Sequence, residues 1–293
     1  MKAFTHILCP VDFSKESGHA LGFAIALARW SNGSITGLHV YPLTVFSGVS
    51  GYPSFPPGPP NVEALQAGVQ VFLAPAEGAG ISVETLVEGG DPARTIIEKA
   101  TTTGADLIVM GTHGMSGFER FAIGSVTEKV VRRAAPPVLT VPTSAPPPGD
   151  VPFSRVMCAV DFSPSSLEGL RLAVSLAGDA NISLSVVHVL ETLPEKSATM
   201  AAPLIADYLR EREGEARRQL ERLVPARLAQ PVEILLSHGK SYVEILAAAA
   251  ANRIDLIVLG IHARNALDIA ILGSTTNQIV RRASCPVLTT RLP

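Results

Sequence analysis

The residues of this 293-residue chain best suited to hold a ligand are three glycines and a serine that follow one apolar run. Gly111 and Gly114 come directly after Leu-Ile-Val-Met, and Gly124-Ser125 follows after nine further residues. Glycine lets the backbone adopt positive φ and brings N–H groups close to a ligand. Gly124-Ser125 is also placed to open a helix, whose exposed N–H groups and dipole favour an anion. The spacing predicts an anion site, and a phosphate chain is its natural occupant.

Asp12 adds a different chemistry at the end of the first apolar run. A carboxylate repels phosphate, but it accepts hydrogen bonds from ribose hydroxyls or from an adenine amino group. In open α/β sheets, ligands bind beyond the carboxyl ends of the strands, where the strand order reverses. If the strands that end at Asp12 and Gly111 are neighbours there, the carboxylate and the glycine loop face one crevice. A purely structural alternative makes Gly111 a strand-to-helix turn and Ser125 a helix N-cap.

The same pattern recurs in the second half at an offset of 149 residues, as from Asp12 to Asp161. Across Gly124–Val141 and Gly273–Thr290, 11 of 18 positions are identical. The other matching pairs are His39 and His188, Asp106 and Asp255, Gly111 and Gly260, Ser125 and Ser274, and Pro137 and Pro286. A repeat of this length predicts two copies of one fold, each with its own core.

Each half alternates short apolar runs with longer stretches at helical spacing, which predicts βαβ units and a parallel sheet. Two domains, 1–143 and 154–293, are expected on either side of a proline-rich linker, 144–153. The strands predicted in the first half are Ile7–Asp12, Ser34–Val40, Ile81–Glu88, Asp106–Met110 and Pro137–Val141. In the second half, Arg155–Asp161 and Asp255–Leu259 are the first and fourth strands. Pro10 is an exception inside a predicted central strand, where proline removes a ladder bond.

Composition excludes several classes of protein. The chain is 47% hydrophobic and 17% charged with a net charge of −2, so it lacks the basic excess of a nucleic-acid-binding protein. No apolar stretch approaches the roughly 20 residues of a membrane helix. The N-terminal residues show no secretory signal, and a cytoplasmic location is expected. Three cysteines do not make a disulfide framework, and Cys9 and Cys158 are expected in the core.

The spacing G-x2-G-x9-G-[S/T] resembles the ATP-binding signature of universal stress proteins. Its flanks agree, and they read HILCPVDFS, GLHVY, ADLIVMGTHG and GSVTEKVVRRAAPPVLTV. The resemblance covers nearly all of both halves, so the chain is similar to a tandem universal stress protein that acts in the stress response. It implies Rossmann-like five-stranded parallel sheets of order 3-2-1-4-5, with helices on both faces. It also implies that domains pair through their last strands, giving an internal pseudo-dimer and a homodimer of chains.

The resemblance also assigns binding residues by position. Asp12 and Pro10 lie on the ribose and base side, Val40 against adenine, and Ser125 on the phosphate tail. The residues so assigned in the first half are Pro10, Asp12, Val40, Met110, Gly111, Gly114, Gly124, Ser125 and Val126. Those assigned in the second half are Asp161, Val189, Gly260, Gly273, Ser274 and Thr275. The implied ligand is ATP, with ADP, AMP or a cyclic nucleotide as alternatives, with or without Mg²⁺.

The second half departs from the pattern, because Ala263 replaces the middle glycine. If this position needs positive φ, alanine costs on the order of 1–2 kcal/mol. In the loop that follows, Asp268 can repel phosphate and Arg264 can attract it. Nucleotide binding and a mainly structural role therefore both stay open for the second half.

No catalytic or metal-binding residue is assigned. The sequence places no lysine, water-orienting residue or second carboxylate near Ser125, so rapid phosphoryl transfer is not expected. A slow ATP hydrolase and a nucleotide-free dimeric scaffold remain the alternatives. The segment His238–Ser241 ends like a phosphate loop, but Ile234 stands where that motif needs its first glycine.

Three further features are left open or given a structural reading. His39 and His188 are expected to be core or hydrogen-bonded histidines, whereas His113 and His262 either contact the ligand or fix the glycine loops. The apolar loop Tyr41–Pro60 either covers the adenine or contacts the partner half.

Overall fold

The computed structural model describes residues 4–42, 61–114, 123–178, 182–191, 202–225, 228–261 and 273–292, with the backbone alone at 202–206. The chain divides into two compact units between Thr143 and Ser144. The strands of the described ranges are β1 His6–Pro10, β2 Ser34–Tyr41, β3 Ser82–Gly89, β4 Leu107–Gly111, β5 Val138–Val141, β6 Arg155–Ala159, β7 Ser183–Leu190, β8 Glu233–His238, β9 Leu256–Gly260 and β10 Val287–Thr290. Their helices are α1 Lys15–Ser31, α2 Val62–Gly78, α3 Pro92–Thr102, α4 Ser125–Arg133, α5 Pro164–Gly178, α6 Ala202–Leu223, α7 Ser241–Ala251 and α8 Ser274–Arg282.

Each unit contains a five-stranded parallel sheet with helices on both faces. The first sheet has the order β3-β2-β1-β4-β5, and the second has the equivalent order β8-β7-β6-β9-β10. In the first unit α1 contacts α2, and α3 contacts α4. The predicted fold class and strand order are confirmed. The adjacency of β1 and β4, through Ile7↔Leu107 and Leu8↔Ile108, meets the condition for a shared crevice and places the reversal of strand order where the resemblance implies it.

Burial explains why these segments form strands and not helices. All five residues of β4 are buried, and so are the three central residues of β1. A short apolar run that is buried on both faces is typical of a central parallel strand. The helix α1 begins after Ser14, whose hydroxyl accepts a hydrogen bond from the Ser17 N–H at 3.1 Å. This N-cap ends the turn that leads out of β1.

The strand ends differ slightly from those predicted, and the difference accounts for Pro10. β1 ends at Pro10 and not at Asp12, and its pairing with β4 ends at Leu8. The Val11 N–H donates to the Leu38 carbonyl of β2 at 2.8 Å. Because successive N–H groups along a strand point to opposite neighbours, the N–H that Pro10 lacks would face β4 beyond the last pair. The proline therefore removes no ladder bond.

Asp106 lies at the amino ends of the strands, whereas Asp12 lies at their carboxyl ends. Its carboxylate accepts hydrogen bonds from the Thr5 N–H, the Thr5 hydroxyl and the His6 N–H at 2.7, 2.9 and 3.0 Å. Asp255 makes the same three bonds, at 2.8, 2.7 and 2.9 Å, to Ser154 and the Arg155 N–H. Both aspartates recur in the repeat because they tie the start of the first strand to that of the fourth. They are structural, and neither lines the cavity of its unit.

Candidate functional site

A cavity of about 490 Å³ lies at the carboxyl ends of β1, β2 and β4 in the first unit. Its lining contains every residue to which the sequence assigns a binding role in the first half, namely Pro10, Asp12, Val40, Met110, Gly111, Gly114, Gly124, Ser125 and Val126. These residues come from separate segments of the chain, and the sheet topology brings them together. The volume falls within the roughly 300–1,000 Å³ typical of small-molecule sites.

Asp12 is held by a tight turn between β1 and α1. Its Oδ1 accepts hydrogen bonds from the Ser14 N–H at 3.1 Å and from the Ser14 hydroxyl at 2.5 Å. Phe13, between them, has a φ of 62°, which is uncommon for a bulky residue. The other carboxylate oxygen, Oδ2, lies beside Gly114, where a β-carbon would stand only 2.5 Å from it. The carboxylate is thus fixed by the turn on one side and faces the glycine loop on the other.

The glycines of the loop are needed for a different reason from the one predicted. Gly111, Gly114 and Gly124 do not have φ in the left-handed region, so positive φ does not explain them. The expectation was wrong on this point, because at Gly111 and Gly114 the close approach of other groups is what excludes a side chain. At Gly111 a β-carbon would stand 3.1 Å from the His113 carbonyl oxygen and 3.3 Å from Glu16. At Gly114 the limiting group is the Asp12 carboxylate.

The helix α4 begins at the cavity without a side-chain cap. Gly124 is its N-cap residue, with φ −59° and ψ 138°, and no side chain accepts from the first turn. The alternative in which Ser125 is the N-cap is therefore wrong, since Ser125 is the first helical residue. The Gly124 N–H donates to the Thr112 carbonyl at 2.8 Å, and the Thr127 hydroxyl donates to the Gly111 carbonyl at 3.0 Å. These bonds fix the helix start against the end of β4, where its exposed N–H groups favour an anion.

Further residues line the cavity that the sequence did not identify as binding residues. Pro92 and Ile96 lie four residues apart at the start of α3, which places them on one helix face. The others are Val11, Ser17, Leu38, Pro42 and Thr127. The apolar members give the cavity a hydrophobic side. The four-residue spacing of Pro92 and Ile96 shows that the two side chains share a helix face. It does not show that this face lines the cavity.

Two histidines also line this cavity. His113 accepts or donates a hydrogen bond through Nδ1, which lies 3.0 Å from the Thr112 hydroxyl. The Nδ1 of His39 lies 2.7 Å from the Val11 carbonyl oxygen, so the prediction of a hydrogen-bonded histidine is confirmed. Of the loop Tyr41–Pro60, the structure describes Tyr41 and Pro42, and residues 43–60 lie outside the described residues.

The second unit has an equivalent but smaller cavity of about 220 Å³. Its lining contains all residues assigned there by position, namely Asp161, Val189, Gly260, Gly273, Ser274 and Thr275. Gly273 is the N-cap residue of α8, which again begins without a side-chain cap. His262, Ala263, Arg264 and Asp268 lie outside the described residues, so their predicted effect on this cavity stays a prediction.

Other features of the sequence also have structural explanations. The segment that ends like a phosphate loop joins β8 to α7, and Gly239 has φ 140° there, as Gly90 has φ 157° at the equivalent turn. Arg132 and Arg133 stand in the last turn of α4, where cations suit the helix dipole.

Cys9, Cys158 and Cys285 are buried, and desolvation raises the pKa of each thiol, to about 12 for Cys9. Among the helices of the described ranges, none has the length and apolar character needed to cross a bilayer.

Comparisons with known proteins agree with this architecture. A universal stress protein of Mycolicibacterium smegmatis is 26% identical over 311 aligned positions, which cover 97% of this chain and 96% of the relative. One of Methanocaldococcus jannaschii is 34% identical over 139 residues, or 47% of this chain and 82% of the relative. The crystal structure of a universal stress protein from Archaeoglobus fulgidus has the same fold, with a TM-score of 0.65 at 23% identity and 98% coverage of both chains.

The family model described as the universal stress protein family matches residues 3–142 and, separately, 152–291. The two matches fall on the two units and together cover most of the chain. The chain therefore belongs to the universal stress protein family, with two such domains in tandem.

Proposed function

We propose that this chain is a cytoplasmic universal stress protein that binds ATP in the cavity of its first unit. The observation that carries the proposal is that the nine residues assigned by position from the family resemblance line one cavity of about 490 Å³. That cavity combines a carboxylate, an apolar wall and the uncapped start of a nine-residue helix. Ribose hydroxyls, an adenine ring and a phosphate chain are the matching parts of an adenine nucleotide.

Each part of the cavity has a role in this proposal. Asp12 accepts hydrogen bonds from the ribose, since its carboxylate is an acceptor without donors. Val40 and Ile96 supply apolar contact for the base. The N–H groups of Ser125 and Val126 face the phosphates, and the Ser125 hydroxyl adds a donor. ADP or AMP would use the same base and ribose contacts with fewer phosphate contacts.

The bound nucleotide is proposed to act in the stress response by population shift. ATP stabilises whichever arrangement of the phosphate loop it binds more tightly, and the nucleotide-bound state is the one that regulates or recruits a partner. Pairing of the two domains through their last strands, and a homodimer of chains, belong to the same proposal. The cavity of the second unit either holds a second nucleotide or has a structural role.

The proposal is tested by identifying the ligand of the freshly purified full-length chain. The protein is denatured, and the released small molecules are measured by mass spectrometry beside the Gly114→Ala variant. The wild-type chain should release an adenine nucleotide, and Gly114→Ala should release much less. The added methyl group would stand 2.5 Å from Asp12 Oδ2, so the carboxylate must move away from its present position.

Gly22→Ala is the matched control, because a β-carbon at Gly22 on α1 meets no atom within 4 Å. This variant should retain the nucleotide at the wild-type level. The absence of any released nucleotide, together with no thermal stabilisation by millimolar ATP with or without Mg²⁺, would overturn the proposal in favour of a nucleotide-free scaffold. Rapid Mg²⁺-dependent turnover that Ser125→Ala abolishes would instead favour an ATP hydrolase.

A further inference from the structure

We propose that His39 is a positioning residue, which holds the Asp12 carboxylate in the orientation that receives the ribose hydroxyls of the nucleotide. The inference rests on the proposed function, because it concerns the same cavity. It assigns a role in nucleotide binding, through Asp12, to a histidine that the sequence predicts to be only a core or hydrogen-bonded residue. The role follows from the contacts that this imidazole makes with the two residues on either side of Asp12.

The imidazole of His39 contacts both chain neighbours of Asp12. Its Nδ1 lies 2.7 Å from the carbonyl oxygen of Val11. Its ring lies 4.7 Å from the ring of Phe13, measured between centroids, with 43° between the planes. His39 itself stands on β2, the neighbour of β1. One side chain from the adjacent strand therefore holds the backbone before Asp12 and the side chain after it.

The hydrogen bond also places a proton on Nδ1. A backbone carbonyl only accepts, so Nδ1 carries the proton and donates to Val11. An imidazole in this tautomer cannot turn over without losing the bond. The orientation of the imidazole plane is thus fixed, and so is the ring face that contacts Phe13.

Phe13 needs such support because its backbone is in an unfavourable region. Its φ of 62° is rare for a bulky side chain, and the residue is 42% exposed, so burial alone does not hold it there. Its ring is supported by the imidazole of His39 and by the edge-on ring of Phe72 at 6.0 Å. The turn through Phe13 is what brings the Ser14 N–H and hydroxyl onto Asp12 Oδ1. If the turn relaxes, the carboxylate loses its orientation toward Gly114.

The second unit contains the same arrangement at the equivalent residues. The Nδ1 of His188 lies 2.7 Å from the Val160 carbonyl oxygen, and its ring lies 4.7 Å from that of Phe162. Phe162 has φ 63°, and the Ser163 N–H donates to Asp161 Oδ1 at 3.0 Å. A strained phenylalanine supported by a histidine thus accompanies the aspartate in both cavities. Strain that recurs beside a binding residue points to orientation of that residue and not to local packing alone.

The test measures how strongly the chain distinguishes ATP from 2′,3′-dideoxy-ATP, which lacks the hydroxyls that Asp12 would receive. All chains carry Asp161→Ala, so that the preference reports the first cavity. The parent chain should bind ATP more tightly than the dideoxy analogue. In His39→Leu, ATP affinity should fall about tenfold while affinity for the analogue changes little, so that the preference disappears. A loss of protein stability alone would lower the affinity for both nucleotides by the same factor.

Two polar variants keep the test decisive if His39→Leu folds poorly. His39→Asn places an amide N–H near the position of Nδ1 and should retain most of the preference, whereas His39→Gln, one methylene longer, should lose it. His6→Leu is the control, because it removes a part-buried histidine with one hydrogen bond, at 2.8 Å to Thr36, away from the cavity. It should leave the preference unchanged.

The outcomes separate the two proposals. If the parent chain binds neither nucleotide, the proposed function fails. If it binds ATP and the analogue equally, or if His39→Leu and His39→Gln both keep the parent preference, the positioning role of His39 is wrong while nucleotide binding stands.

Discussion

At the scale of single residues, the two oxygens of Asp12 have different surroundings. Oδ1 closes the turn through Ser14, and Oδ2 lies beside Gly114. This explains why a glycine stands at position 114, since any β-carbon there would meet the carboxylate. The sequence identifies Gly114 by its spacing, but the reason depends on a residue about a hundred positions away, which spacing cannot reveal.

Burial of the cysteine thiols leads to a prediction on the pH dependence of stability. Burial raises the pKa of Cys9 from 9.0 to about 12. Below pH 9 the thiol is protonated in both states, so its contribution is fully present there. As the pH rises toward 12, the unfolded chain loses the proton and the folded chain keeps it. The free energy of unfolding should then fall by about 1.4 kcal/mol per pH unit for this thiol.

Urea unfolding of the wild-type chain and Cys9→Ala at pH 8 to 11 measures this effect. The stability difference between the two should be constant up to about pH 9 and should then shift in favour of the variant. Other groups that titrate in this range cancel in the difference. A difference that stays constant to pH 11 would show that the thiol is not protected by burial.

At the scale of elements, the helices of the first unit begin in two ways. Ser14, Asn61 and Asp91 cap α1, α2 and α3 with side-chain oxygens. The helix α4, which begins at the cavity, has Gly124 and no side-chain cap. A helix start that lacks its own acceptor is open to one from a ligand.

Gly124→Asp supplies the missing acceptor and should separate stability from binding. The backbone of Gly124 suits an N-cap residue, and a β-carbon there makes only ordinary contacts, the nearest at 3.4 Å to the Thr112 carbonyl oxygen. A carboxylate cap should raise the stability of the unit by only about a few tenths of a kcal/mol, because glycine is itself an acceptable N-cap residue. The same negative charge should repel phosphate and lower ATP affinity by roughly tenfold or more.

Calorimetric unfolding and ATP titration measure the two effects. Gly273→Asp is the control, since a β-carbon at Gly273 meets no atom of the described residues within 4 Å. It should stabilise the second unit without changing ATP binding in the first cavity. If Gly124→Asp binds ATP as tightly as the wild-type chain, the start of α4 does not hold the phosphates.

The elements also show how far sequence reasoning reaches. The alternation of apolar runs and helical stretches predicts a parallel sheet, whereas the strand order, and with it the adjacency of β1 and β4, comes from the family resemblance. The part of the cavity wall formed by Pro92 and Ile96 could not be predicted, because the position of α3 over the strand ends is set by tertiary packing. The conformation of the loop glycines could not either, because glycine permits positive φ without requiring it.

At the scale of the whole molecule, the two units share a framework but differ in their sites. Asp106 and Asp255 tie the strand starts through the same three hydrogen bonds. The cavities measure about 490 and 220 Å³. The larger cavity supports the proposed placement of the nucleotide in the first unit, and the role of the second cavity stays open.

Titration calorimetry of ATP into the full-length chain, with Asp12→Asn and Asp161→Asn as a matched pair, tests this claim most directly. The amide introduced by Asp12→Asn would keep an oxygen for the Ser14 turn while removing the charge, so the variant should fold normally and bind ATP at least about tenfold more weakly. Asp161→Asn should leave binding in the first cavity at the wild-type level. Wild-type affinity in Asp12→Asn, or a loss confined to Asp161→Asn, would contradict the assignment of the nucleotide to the first unit.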